Sequence, residues 1–155
     1  MTGMGTLGDA LEHEHRAIDG GIEAYLEGDP GHPPVERLVE AMAGLRRHIY
    51  LEEEFLFPPM REAGMMMPIF VMLREHGALW NAMNGIDTAL TDGADRDAVA
   101  ALCKDLLSLL DAHNSKEEPV IYTQADAMLR EEASAELEDF LKTGTMPEGW
   151  VCANA

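Results

Sequence analysis

His48-Ile49-Tyr50-Leu51-Glu52-Glu53 decides how this chain is read, because its pattern returns as His113-Asn114-Ser115-Lys116-Glu117-Glu118. In each stretch a His and a Glu stand four residues apart, and a second acid follows directly. On a helix, positions four apart stack one turn above each other on one face. Each segment therefore presents an imidazole and a carboxylate side by side, the donor pair that a metal site on a helix requires. Each also has a further His upstream on an apolar pattern, His15 before the first and His76 before the second.

The segments around these residues read as long amphipathic helices. Thr6 is a helix N-cap with Asp9 in the first turn. Leu11, His15, Ile18, Ile22 and Leu26 then follow in steps of three and four, which puts His15 on the buried stripe. His13 lies about 200° round from it and faces solvent. Gly28 ends this helix, and the Pro- and Gly-rich stretch up to Pro34 is a loop that holds a solvated His32. Pro33 or Pro34 suits the first turn of helix 2, whose stripe is Leu38, Met42, Leu45, His48 or Ile49, Glu52 and Leu56. Pro58-Pro59 is expected to end it. Pro68 can start helix 3, with Ile69, Leu73, His76, Leu79 or Trp80, Met83 and Ile86 inward, and a loop follows over 91–95. Helix 4 turns Val99, Leu102, Leu106, Leu109 or Leu110, His113 and Glu117 inward until Pro119 breaks or kinks it. A weaker helix is expected over about 127–141, with Gly144 as its stop and an appendage from 145 onward.

The expected fold is all-α: an up-down-up-down four-helix bundle with a short C-terminal helix. The expected organisation is one domain over 1–155, with the bundle over about 6–125 and the C-terminal helix and tail over 126–155. The two halves read as an internal repeat, each supplying a His and then a His-x-x-x-Glu pair.

Charge narrows the partners. A net charge of −18 repels phosphates and anionic membrane surfaces, so nucleic acid and membrane are not expected, and a cation is the natural small partner. The chain has only two cysteines, Cys103 in an apolar helical run and Cys152 in the tail. No disulfide framework, leader segment or membrane span is legible, which gives a cytoplasmic expectation.

Bland readings exist for each polar residue alone. A single His on an apolar stripe is usually a hydrogen-bonded core residue, and a single Glu is often at an edge. Six such groups on four core-facing stripes do not reduce to that, because a buried unpaired carboxylate costs on the order of several kcal/mol. Cations neutralising two carboxylates among four imidazoles resolve the conflict. The acids beside them, Glu14, Glu53, Glu54, Glu75 and Glu118, read as surface acids, one of which serves at most as outer support or entry route. Tyr50 and Tyr122 read as packing, and the Met-rich stretch around Met65-Met66-Met67 as core and loop filler.

The residues resemble a known family. His48-x-x-x-Glu52-Glu53-x-x-Leu56-Phe57-Pro58 resembles the second-helix signature of hemerythrin-like HHE cation-binding domains. Glu14-His15 resembles their first motif, Glu75-His76 the third, and His113-x-x-x-Glu117-Glu118 the fourth. The resemblance implies two non-haem iron ions, bridged by an oxo or hydroxo group and by the two carboxylates, with His15, His48, Glu52, His76, His113 and Glu117 as ligands. Imidazole and carboxylate also accept manganese or zinc. Oxygen-carrying members have a fifth His from a His-x-x-x-His pair on the third helix, whereas Met72 and Trp80 flank His76 here. The four-His, two-Glu set is similar to bacterial proteins proposed to repair iron centres under nitrosative or oxidative stress. Those usually carry an extra N-terminal Cys-containing domain, which is not part of this sequence.

The resemblance leaves each iron an open or water-filled position. It implies a protein that binds or reacts with O2, NO or peroxide, in sensing, scavenging or iron handling. The alternatives are a diiron oxidoreductase that consumes peroxide or NO, and a non-redox metal-stabilised interaction module. Steady-state turnover marks the first alternative; zinc or no metal on purification marks the second.

Overall fold

The computed structural model describes residues 6–155, and every regular element among them is helical. The part of the leader reading that falls on residues 1–5 lies outside them. Helix α1 (Leu7–Glu27) opens on a capping box: Asp9 N–H donates to Thr6 Oγ1 at 3.0 Å, and Thr6 N–H donates to Asp9 Oδ2 at 3.3 Å. Helix α2 (Val35–Leu51) begins one residue after Pro34. Helix α4 (Met66–Thr91) and helix α5 (Arg96–Glu117) form the second half, with Asp95 capping α5 through Ala98 N–H. The pairs α1/α2, α4/α5, α1/α5 and α2/α4 pack together. The four long helices therefore form a closed bundle in the cyclic order α1, α2, α4, α5.

Two expectations about prolines are corrected. Helix α2 does not end at Pro58-Pro59. It passes through one π-helical turn (Glu52–Leu56) and continues as α3 (Phe57–Glu62), with both prolines in that first turn. Phe57 N–H reaches back to Glu52 C=O, five residues away. Widening the helix by one residue accommodates rings that cannot donate and that would clash with the preceding turn. Pro119, expected to break or kink its helix, does not end it. It lies inside a second π turn (Glu118–Tyr122) that leads into α6 (Thr123–Met128). Thr123 Oγ1 donates to Pro119 C=O at 2.6 Å there.

The expected C-terminal helix is found as two pieces, α6 and then α7 (Glu131–Thr143), separated at Leu129, whose backbone is extended while its side chain is buried. Gly144 ends α7 as expected. The tail lies back along the bundle. Trp150 packs edge-on against Tyr50 and Trp80 at 5.1 and 5.6 Å, and Cys152 is buried.

The apolar core forms two clusters. One holds Ile22, Leu38, Met42, Leu45, Ile49, Leu79, Met83 and Leu106. The other holds Leu7, Leu11, Leu51, Leu56, Phe57, Met60, Ile69 and Ile121. Of the Met-rich stretch, Met60 and Met72 are core, while Met66 and Met67 are exposed. No described helix is long and apolar enough to cross a membrane.

Candidate metal centre

The seven polar residues buried among the described ones include His15, His48, Glu52, His76, His113 and Glu117. These six are the sequence-read set, and the structure brings all of them together; Asn114 is the seventh. His13 and His32 are exposed. Two groups form. His15, His48, Glu52 and Glu117 place donor atoms within 4.8 Å of one another, and so do Glu52, His76, His113 and Glu117. The two carboxylates belong to both groups and link them.

Glu117 shows what the arrangement lacks. It is fully buried, and neither of its carboxylate oxygens takes a hydrogen bond, although Oε1 lies 3.2 Å from His15 Nε2 and 3.3 Å from His113 Nε2. A buried carboxylate without donors is strongly unfavourable unless a cation meets it. Two imidazoles and two carboxylates per group are a donor set that iron, manganese and zinc accept, so the residues fit a pair of metal ions.

Sequence reasoning placed the neighbouring acids at the surface, and here it is corrected. Glu14 lies 2.8 Å from His48 Nδ1, Glu53 2.8 Å from His76 Nδ1, Glu75 2.8 Å from His113 Nδ1, and Glu118 2.8 Å from His15 Nδ1. All four imidazoles therefore have Nδ1 bonded to a carboxylate of the preceding helix in the cyclic order α1, α2, α4, α5, or of its π turn. The ring closes from the second π turn back to α1. Such a carboxylate accepts a hydrogen bond from Nδ1–H, which fixes the tautomer and leaves Nε2 free to bind inward. The ring is itself anchored: Arg47 holds Glu14 and three carbonyls at the end of α7, Lys116 holds Glu75, and Ala153 N–H of the tail donates to Glu53 at 3.0 Å. Glu54 takes no part among these bonds. The signal was present in the sequence, since every ligand motif carries an extra acid. It was hidden because an acid adjacent to a ligand points off its own stripe and serves the next helix.

Tyr122, read as packing, is a further residue that sequence reasoning missed. Its side chain is buried, and its Oη lies 2.8 Å from His15 Nε2, 2.9 Å from His48 Nε2 and 2.5 Å from Glu52 Oε2. Tyr50, by contrast, does pack, against Phe55 and Phe140.

The family-model comparison bears on this geometry. The hemerythrin HHE cation-binding domain model matches residues 6–125. The chain belongs to the hemerythrin HHE cation-binding family. No curated protein and no solved structure matches it at a significant level. The matched span of this hemerythrin-like chain covers the four long helices, both π turns and all ten site carboxylates and imidazoles described above.

The electrostatics of the hemerythrin-like site follow from its packing. Burial opposes charge on His48, yet the Glu52 charge and the Glu14 hydrogen bond outweigh it and push His48 up to about 10. Burial likewise opposes charge on His76, and Glu52 and Glu53 push it up to about 9. Burial raises Glu52, but His48 and His76 hold it well below the ordinary carboxylate range. Burial, then Glu117 and Glu52, push the Tyr122 phenol well above its ordinary value.

These directions fix a pH dependence for protein stripped of metal. The raised imidazoles contribute stability that is complete below their ordinary 6.5 and is lost as pH rises through about 9 and about 10. The lowered Glu52 contributes stability present above its ordinary 4.5 and lost on acidification. Stripped protein is therefore expected to be most stable between those ordinary values and to weaken toward alkaline pH. Metal requires the neutral imidazoles, so its stabilising increment grows by about 1.4 kcal/mol per pH unit for each proton released. Paired thermal melts from pH 6.5 to 9 should show the gap between loaded and stripped protein widening. A constant gap would contradict this charge assignment.

Proposed function

We propose that this chain is a non-haem diiron protein that binds or reacts with O2, NO or peroxide, in sensing, scavenging or iron handling. The observation that carries the reading is the sharing of Glu52 and Glu117 between two His2Glu2 groups, with no donor from the protein to satisfy Glu117. Two carboxylates common to both groups suit a closely spaced pair of ions better than one structural ion. An iron pair supplies redox change and exchangeable ligand positions toward small oxygen and nitrogen species. The protein's part is to fix four Nε2 atoms inward through the carboxylate ring and to exclude bulk water with apolar clusters on either side. A void of about 10 Å³ remains against the site, between Leu45, Ile49, Leu79, Leu110 and Asn114. That is room for about one water-sized molecule. Asn114 Oδ1 is buried there without a partner.

The charge of −18 favours a cation-handling role over nucleic-acid binding, and the small number of cysteines favours a reducing cytoplasm. The test is metal analysis with an absorption spectrum of freshly purified protein, followed by O2, NO and peroxide additions to reduced protein. The expected result is two irons per chain, near-ultraviolet charge-transfer bands when oxidised, and spectral change on adding at least one of O2, NO and peroxide. His13→Ala and His32→Ala should leave iron content unchanged. Zinc as the resident metal, or no response to any of the three, would overturn the reading.

A further inference from the structure

We propose that Tyr122 is a phenolate ligand to the metal ion held by His15, His48, Glu52 and Glu117, so that the two ions of the pair are chemically unlike. The proposal rests on the diiron reading above and goes beyond its six-residue ligand set.

The first argument is where the oxygen sits. Tyr122 Oη is not behind the donor atoms but among them, 2.5–2.9 Å from the Nε2 atoms of His15 and His48 and from Glu52 Oε2. Within the same group, His48 Nε2 lies 3.2 Å from Glu52 Oε2, and His15 Nε2 lies 3.2 Å from Glu117 Oε1. Nitrogen and oxygen ligands bind such ions at roughly 2.0–2.2 Å, so neighbouring ligands in a near-octahedral shell stand roughly 3 Å apart. The phenol oxygen therefore occupies the spacing of a ligand. A tyrosine that only packs would direct its hydroxyl to solvent or to a backbone carbonyl. This one finds no hydrogen-bond partners other than atoms of the group.

The second argument is what aims it. Tyr122 follows Glu117 by five residues. In a regular α-helix it would lie about 140° round from Glu117, off the inward face. The second π turn adds the residue that brings it inward, and π turns recur at functional sites. Gly8 on α1 lets the turn come close, since a Cβ there would stand 2.8 Å from the Tyr122 carbonyl oxygen.

The third argument is an internal control. The first half of the chain repeats the device. Phe57 follows Glu52 by five residues across the first π turn, and its ring stacks on His76 at 5.4 Å and 22°. The corresponding rings thus sit against the two different groups, and only the one beside His15 and His48 carries an oxygen. The sequence repeat is symmetric in its imidazoles and carboxylates, and it is asymmetric where Phe57 corresponds to Tyr122. Ligand exchange is then one-sided, carried by the ion of His76 and His113.

On coordination to iron(III) the Tyr122 O–H bond breaks, the proton leaves to solvent, and an oxygen–iron bond forms with no change of oxidation state. The test uses the full chain, loaded with iron and oxidised, beside Tyr122→Phe. Unmodified protein is expected to show a broad visible band from phenolate-to-iron(III) charge transfer. Excitation in that band should enhance phenolate ring modes in resonance Raman, and these should shift when the protein is grown on ring-deuterated tyrosine. Tyr122→Phe should lose both signals while keeping the near-ultraviolet bands and at least one iron. Two irons without a visible band in unmodified protein would overturn the ligand assignment alone, as would a band that survives in Tyr122→Phe. A chain that takes up no iron would overturn the diiron reading and this proposal with it. The Raman measurement on unmodified protein decides the assignment even if the variant folds poorly.

Discussion

Glu52→Ala is expected to empty both metal groups at once and to lower the melting temperature by about 5–15 °C. Glu52 is the carboxylate that His48 and His76 both face, at 3.2 and 2.9 Å, and it is fully buried. Removing it takes one donor from each group and leaves two imidazoles on opposite sides of a gap. Ligand-linked stability is worth about 2.7–4.1 kcal/mol when metal is present at 100–1,000 times its dissociation constant. For a chain of this size each kcal/mol corresponds to roughly 2–4 °C. Loss of both ions therefore accounts for the expected shift before any cavity is counted. Metal content per chain and calorimetry with and without chelator measure it. A variant that keeps two ions, or melts with the unmodified protein, would show that Glu52 is not shared.

Glu53→Gln is expected to weaken metal binding by about 10–100-fold without touching a ligand. Its carboxylate is 5% exposed and orients His76 through Nδ1, and supporting carboxylates of this kind typically contribute that much. Glu118→Gln makes the graded comparison. Glu118 is 33% exposed, so water can substitute for part of its contact with His15, and its loss should be smaller. Competition against a chromophoric chelator reads both. Equal affinity in all of Glu14→Gln, Glu53→Gln, Glu75→Gln and Glu118→Gln would mean that the ring does not orient the imidazoles.

The bundle was legible because its helices are amphipathic along their whole length and the punctuation is strong. The Thr6 cap, the Asp95 loop and the Gly144 stop all stand where the residues place them. The six inward His and Glu residues were legible for the same reason, since a charged group on an apolar stripe contradicts its surroundings. What could not be read follows from two physical facts. A proline normally reports a helix end, and only the backbone can report that a π turn absorbs it, as at Pro58 and Pro119. Once the turn is missed, the face of the residues that follow it in the same helix is missed too, and it is the second π turn that brings Tyr122 to the site. The outer acids were missed because a period of 3.6 describes one helix, whereas Glu14, Glu53, Glu75 and Glu118 act on a neighbour.

The closed carboxylate ring also sets an order of events during folding. Three of its links join residues 34, 23 and 38 apart in sequence, whereas Glu118 and His15 are separated by 103. Short chain segments meet sooner than long ones, because closing a longer loop costs more entropy. The α1–α2, α2–α4 and α4–α5 junctions are thus available to nascent hairpins, and the α5–α1 seam forms last. His15 is oriented only across that seam, so the group of His15, His48, Glu52 and Glu117 is complete only when the seam closes, whereas Glu52, His76, His113 and Glu117 need no residue of α1. An ion held by His15, His48, Glu52 and Glu117 would consequently act as a clasp on the edge of the bundle that closes last.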